Sequence, residues 1–270
     1  MKTLKALLIA VAIYQAAAVF ILNSVSKLEV PVVNYSWLTT HVLLFLEATT
    51  PLKSRDLAID ANLIISSMIL NGDMHSVSDM LENGINAYKH LDAFLTANRD
   101  HLSDEDRFAL LMEELIILNR LWLISDDTKL RTMQMAAYDE IRKYRHAVPP
   151  EDANYLDAES ILTLGHTTPK PEGSVESLNL YSLKKFYAGM VACKNGKDSG
   201  ATDIDFFKEN YSRGSREILH VVSRNWNMPL LTLLPILPNN HTPERCAKSL
   251  QSVVDRLLTN ASAGVSISRA

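Results

Sequence analysis

Ser103-Asp104-Glu105-Asp106-Arg107-Phe108-Ala109-Leu110-Leu111-Met112-Glu113-Glu114-Leu115-Ile116-Ile117-Leu118-Asn119-Arg120-Leu121-Trp122-Leu123-Ile124 decides the fold. After Arg107 only Glu113, Glu114, Asn119 and Arg120 are polar, so a helix over 104–124 is apolar on almost every side and belongs at the centre of a packed domain. Ser103 with Asp106 three residues on has the spacing of a capping box, and three acids in the first turn suit the positive end of the helix dipole. A central, capped helix of this length has to be covered by others.

Outward from it, nearly every segment after Val33 repeats its apolar residues with a period near 3.6, and no run alternates polar and apolar residues as a strand does. The expectation is an all-α fold. The pattern predicts helices over Trp37–Glu47, Ser54–Leu70, Ser76–Ala97, Asp104–Ile124, Asp127–Ala147 and Pro150–Leu164. It also predicts helices over Val175–Ala192, Ile204–Asn225 and Pro243–Asn260, with a polar loop over Lys194–Thr202. Leu63-Ile64-Ile65 is echoed by Leu115-Ile116-Ile117, and Ile85-Asn86-Ala87-Tyr88 by Met135-Ala136-Ala137-Tyr138. Each pair falls on consecutive helices, which predicts stacked antiparallel helical hairpins, either helical-repeat-like or an irregular bundle. The stretch from His166 to Gly173 holds two prolines and a glycine and breaks any helix. The expected organisation is a signal-anchor or signal peptide over 1–23, a helical-hairpin domain over 24–168 and a C-terminal helical subdomain over 174–270.

The N-terminus carries an address. Lys2 and Lys5 precede an apolar run from Ala6 to Leu22 interrupted only by Tyr14 and Gln15. Seventeen residues at about 1.5 Å each cover roughly 26 Å, close to the ~30 Å of bilayer hydrocarbon. Residues 4–22 are therefore expected to form a transmembrane helix, and the positive charges before the run place the bulk of the chain outside the cytoplasm, periplasmic or lumenal. Ala16-Ala17-Ala18 also fits a signal-peptidase site, and cleavage after Ala18 would make the protein secreted. Met228–Leu237, the next most apolar stretch, is short and carries Pro229 and Pro235, so a single pass is expected.

Composition narrows the function classes. The chain has 27 Lys and Arg against 31 Asp and Glu, a mild acidic balance spread along its length, so nucleic acid is not an expected partner. Cys193 and Cys246 allow one disulfide, which an exported compartment permits. The eight histidines show no i, i+4 pair and no neighbouring cysteine, so neither a metal centre nor a cofactor is expected.

Several short motifs have plain structural readings beside their chemical ones. Ser182-Leu183-Lys184-Lys185 matches the serine-x-x-lysine pattern of penicillin-recognising enzymes, but the Lys-Thr-Gly element and the strands those enzymes need are missing from the sequence. Asp203-Ile204-Asp205 has the acid-x-acid spacing of nucleotide-sugar transferases, and two acids opening a helix account for it equally well. Glu113 and Glu114 are adjacent carboxylates in an apolar helix, an environment that raises a pKa, yet neighbouring helical positions point about 100° apart. Arg213, Arg216, His220 and Arg224 fall three, four and four residues apart and form a cationic stripe, a docking surface for an acidic partner or an anionic headgroup. Arg142-Lys143-Tyr144-Arg145-His146 ends a helix, where cations suit the dipole.

No residue is assigned a catalytic role. The expected function is that of a membrane-anchored extracytoplasmic helical protein that binds another protein, as a scaffold or assembly factor. The alternatives are an extracytoplasmic small-molecule binding protein, with a ligand between helices, and an all-helical hydrolase using Glu113 and Glu114.

Overall fold

The computed structural model describes residues 2–26, 37–50, 53–70, 76–125, 127–165, 178–210, 242–253 and 255. The chain is all-helical, and there is no strand among the described residues. In order it forms α1 (Lys2–Ser26), α2 (Trp37–Thr49), α3 (Arg55–Leu70), α4 (Val77–Asn98), α5 (Asp104–Ile124), α6 (Thr128–Ile141), α7 (Pro150–Leu164), α8 (Leu178–Lys194) and α9 (Gly200–Asn210). Single 3-10 segments follow α4 (Arg99–His101) and α6 (Arg142–Ala147), and residues 244–253 are helical. Two compact units result, Met1–Leu102 and Ser103–Ala270.

In the first unit, α3 and α4 pair as a hairpin. Ser76 caps α4, its Oγ accepting from the Asp79 N–H at 3.1 Å, and Met80, Gly84, Ala87 and Leu91 make the buried stripe at helical spacing. The other face of α3 meets α1 and α2 in a second apolar cluster that includes Ala18, Leu22, Leu46, Ile64 and Met68. Two polar contacts fix α1 on α2: Gln15 Nε2 donates to the Thr49 carbonyl at 2.8 Å, and the Tyr14 and Thr49 hydroxyls bond to each other. Ala18 is thus a core residue of this unit.

Only the second half of α1 packs in this way. From Leu7 to Tyr14 the described side chains stand exposed on all sides of the helix, with Leu7 61%, Ile9 60% and Ile13 65% exposed. Among the described residues no helix is long and apolar enough to cross a membrane, so the span expected over residues 4–22 finds no support in the fold.

The second unit is built around α5. The capping box forms as the spacing predicts: Ser103 Oγ accepts from the Asp106 N–H at 3.2 Å while the Asp106 carboxylate accepts from the Ser103 N–H at 3.1 Å. Leu110, Leu115, Ile117 and Leu118 are fully buried. Asp127 caps α6, which pairs with α5 as a hairpin; its last turns tighten into the 3-10 segment 142–147 instead of continuing to Ala147 as α-helix. At the end of α7, Gly165 takes the left-handed conformation (φ 79°) and its N–H closes on the Ile161 carbonyl at 2.8 Å.

The break expected between 168 and 174 does not divide the core. One apolar cluster joins Ala158 and Leu162 of α7 to Phe186 and Met190 of α8 and Ile204 and Phe207 of α9. Prolines and glycines interrupt a helix without interrupting side-chain packing, and the boundary between the units lies at 102/103 instead. The Pro/Gly segment itself lies outside the described residues.

α9 starts four residues before the predicted Ile204, because Gly200 packs directly on Gly189 of α8. A Cβ added at Gly189 would lie 2.7 Å from the Gly200 carbonyl oxygen, and one at Gly200 would meet Cys193 Sγ at 2.7 Å. Two glycines facing each other let the helix backbones touch and leave room for the disulfide that joins Cys193 to Cys246 (S–S 2.10 Å, Cα–Cα 5.8 Å). The bridge ties the end of α8 to helical residues 244–253, where Cys246 is buried with Leu250 and Val253.

Gly189→Ala should therefore force α8 and α9 apart. The expected cost is about 1–3 kcal/mol, the range for inserting atoms into a packed core, read as a lower midpoint in urea denaturation. Gly165→Ala, with nothing within 4 Å of its added Cβ, tests backbone conformation alone and should cost about 1–2 kcal/mol.

Candidate functional site

The polar groups concentrated inside the second unit converge where α5, α7 and α8 meet. α5 contributes Asn119 and Arg120, the only polar residues in its apolar second half. α7 contributes Glu159 and Thr163, one turn apart and so on one face. α8 contributes Tyr187, and α6 contributes Gln134. All six side chains are buried.

Glu159 is the centre. Its Oε1 accepts from Arg120 Nη2 at 2.9 Å and from the Tyr187 hydroxyl at 2.7 Å, and its Oε2 accepts from Asn119 Nδ2 at 2.8 Å. Arg120 Nη2 also donates to the Tyr187 oxygen at 3.0 Å, with its guanidinium 5.2 Å from the Tyr187 ring centroid. The network extends through Asn119 Oδ1, which accepts from Gln134 Nε2 at 2.8 Å and from Thr163 Oγ1 at 3.0 Å. At its edge Arg131 donates to Gln134 Oε1 at 3.3 Å and to the Leu162 carbonyl at 3.0 Å, and lies 5.0 Å from the Trp122 ring centroid.

The electrostatics follow from burial and pairing. Burial alone would lower the Arg120 pKa, but the Glu159 carboxylate and the Tyr187 oxygen more than reverse it, so the guanidinium is held charged more firmly than in water. Burial also raises the Tyr187 hydroxyl well above the ordinary tyrosine range, and Glu159 adds to that while Arg120 opposes it. The tyrosine keeps its proton and gives it to Glu159 as a hydrogen bond. A carboxylate with three donor groups, a permanently charged arginine and a protonated tyrosine make a buried, hydrogen-bonded ion pair.

Glu113 stands apart from this network. It is buried in α5, its Oε1 has no hydrogen-bond partner among the described residues, and burial pushes its carboxyl well above the usual carboxylate range. Glu114 is buried beside it. A raised carboxyl resembles a general acid, but among the described residues no hydrogen bond or ion pair joins the Glu113 side chain to a nucleophile. Among the described residues no three His, Cys, Asp or Glu side chains come together as metal ligands.

The other sequence candidates resolve into structural roles or fall outside the described residues. Ser182 is buried and its Oγ donates to the Leu178 carbonyl at 2.7 Å, one turn back on α8. The charge of Asp203 is met by Lys185 Nζ at 3.0 Å, bonding α9 to α8. In the basic segment after α6, Arg145 grips both oxygens of Asp157, with Nη2 to Oδ2 at 2.8 Å, and Arg142 lies 3.7 Å from Asp139. Arg213, Arg216, His220 and Arg224 lie outside the described residues.

Sequence reasoning did not single out the Glu159 network. Its signal was present as polar exceptions on apolar stripes: Asn119-Arg120 after Leu115–Leu118, and Glu159 and Thr163 at i, i+4 around Ile161-Leu162. The chain matches no protein-family model, and no curated protein or solved structure matches it.

Two measurements test the network and Glu113. Arg120→Met or Glu159→Gln alone leaves a buried partner stranded and should cost about 3–5 kcal/mol of unfolding free energy. The double variant should cost clearly less than the sum, with the coupling read from a double-mutant cycle. For Glu113, the native state holds a proton that the unfolded chain releases at the ordinary carboxylate pKa. Its contribution is therefore fully present below that pKa and is lost as pH rises through the raised native value. Glu113→Gln should flatten this fall and give a higher thermal midpoint than the parent at pH 8, with little difference at pH 4.

Proposed function

We propose that this chain is a membrane-attached helical protein of an extracytoplasmic compartment that acts by binding another protein, as a scaffold or assembly factor at the membrane. The observation that carries the reading is the first half of α1, where apolar side chains are exposed on every side of the helix. A groove on a partner covers one stripe of a helix; a helix apolar all round calls for surroundings apolar all round, and hydrocarbon supplies them. Lys2 and Lys5 at its tip suit the headgroup layer. Attachment by insertion asks for no crossing helix.

The buried disulfide supports the choice of compartment, because such bridges persist where glutathione and thioredoxin do not reduce them. Action by binding is favoured over catalysis by the state of the interior: the converging polar groups bond to one another and hold α5, α6, α7 and α8 together. The cationic stripe Arg213, Arg216, His220 and Arg224 is the sequence feature best suited to dock an acidic partner.

Cell fractionation should leave the protein with alkali-washed membranes, and protease added on the extracytoplasmic side should degrade it. Cross-linking followed by capture from detergent extract should recover a protein partner, and Arg216→Glu with Arg224→Glu should weaken that recovery about tenfold, equal to roughly 1.4 kcal/mol. A protein found in the soluble cytosolic fraction with reduced thiols would overturn the reading.

A further inference from the structure

We infer that the membrane-contacting element is the α1–α2 hairpin as a whole, a two-helix wedge whose outer face, built by Phe20 and Ile21 on α1 and Val42 and Phe45 on α2, lies in the hydrocarbon of a fluid bilayer. This rests on the membrane attachment proposed above and extends it from one helix to two.

Three observations carry it. The first is register: Tyr14 and Gln15 bond to Thr49, and Leu22 shares a core cluster with Leu43 and Leu46, so the chain runs out along α1 and back along α2. That register sets Phe20 and Ile21 level with Val42 and Phe45. The second is exposure. The inner face of the hairpin is buried on α3, whereas these four residues are 72%, 41%, 48% and 61% exposed. Each side chain favours an apolar surrounding over water.

The third is the placement of charge. No charged residue lies between Lys5 and Lys27, and Glu47 is the one Asp, Glu, Lys or Arg on α2. Glu47 turns inward, where Lys53 Nζ meets it at 2.9 Å and Asn62 Nδ2 donates to it at 3.2 Å, the two charged side chains being 17% and 14% exposed. A hairpin meant for water has no reason to cancel its one carboxylate on the protein side while leaving phenylalanines outside. One meant for lipid must do so, since an uncompensated charge in hydrocarbon costs several kcal/mol. A second copy of the chain would cover one stripe, whereas the exposed apolar surface continues onto Leu7–Ile13, where it runs round the helix.

The test uses the full-length protein with one added cysteine bearing the environment-sensitive fluorophore NBD; the two native cysteines are bridged and buried. Labels at Phe45→Cys, Ile13→Cys and, as a water-exposed reference, Met135→Cys are mixed with vesicles of phosphatidylcholine and phosphatidylglycerol containing doxyl-labelled lipid. The expected result is blue-shifted, lipid-quenched emission at positions 45 and 13 and unchanged emission at 135. Quenching at 13 with water-like emission at 45 overturns the wedge and leaves attachment through α1. No quenching at either position overturns both. A blue shift at both without quenching by doxyl lipid means a protein cover, such as a second copy, and overturns the wedge as well. Val42→Glu with Phe45→Glu changes only exposed positions, so helicity and thermal midpoint should persist while vesicle affinity falls about tenfold or more. Unchanged affinity would count against the second helix.

Discussion

An ionised carboxylate held in a protein interior has to be met by donors fixed in advance, and Glu159 imposes that constraint on the second unit. Taken out of water alone, the charge would be prohibitive; with Arg120, Asn119 and Tyr187 placed around it the cost is largely offset. Those three donors come from α5 and α8, while the carboxylate comes from α7. A slide of any one of these helices by a single turn would move a donor by about 5 Å and strand a charge. Apolar packing tolerates several near-equivalent registers between helices, but this network tolerates one. Asn119 carries the constraint on to α6 through Gln134.

The first unit handles its charge in the same manner and its apolar surface in the opposite one. Glu47 is met by Lys53 and Asn62 between α2 and α3, so the inner face of the hairpin is specified by polar contacts as well as by Leu46 and Leu57. The outer face carries Phe20, Val42 and Phe45 in the open. Within a single unit the rule that charge goes outward and hydrocarbon inward is reversed on one side only. The proposed lipid-facing surface rests on that asymmetry, which a singly exposed leucine lacks.

Elements governed by local chemistry were legible in the sequence. Ser103 with Asp106, the apolar run behind them and Pro150 at the head of α7 place α5 and α7 to the residue, because caps and periodicity are properties of short stretches. What depends on distant partners was not. Gly200 reads as part of a polar loop until Gly189 is seen against it, and the 166–173 segment reads as a domain boundary until Leu162 and Phe186 are found in one cluster. In the candidate site, Asn119 and Arg120 were visible as polar exceptions on α5. Nothing local pairs them with Glu159, some 40 positions away. The apolar N-terminal run was legible as apolar, whereas the burial of Ala18 against α3 depends on a helix that begins over thirty residues later.

That burial bears on what α1 is for. Here Gln15 closes on the Thr49 carbonyl, and Ala18 and Leu22 fill the space over Ile64 and Met68. Removing residues 1–18 would take away the polar clamp on α2 and expose part of the α3 face. The same helix therefore serves the core with its second half, and in the proposed reading it serves the lipid with its first. Whatever stabilises the inserted state of Leu7–Ile13 also stabilises the packing of α1 on α3, since a ligand that binds the folded arrangement shifts the balance toward it. In this reading membrane contact and the folding of the first unit are one equilibrium, and the unit reaches its full stability at the bilayer surface, the place where a scaffold would have to be rigid to be useful.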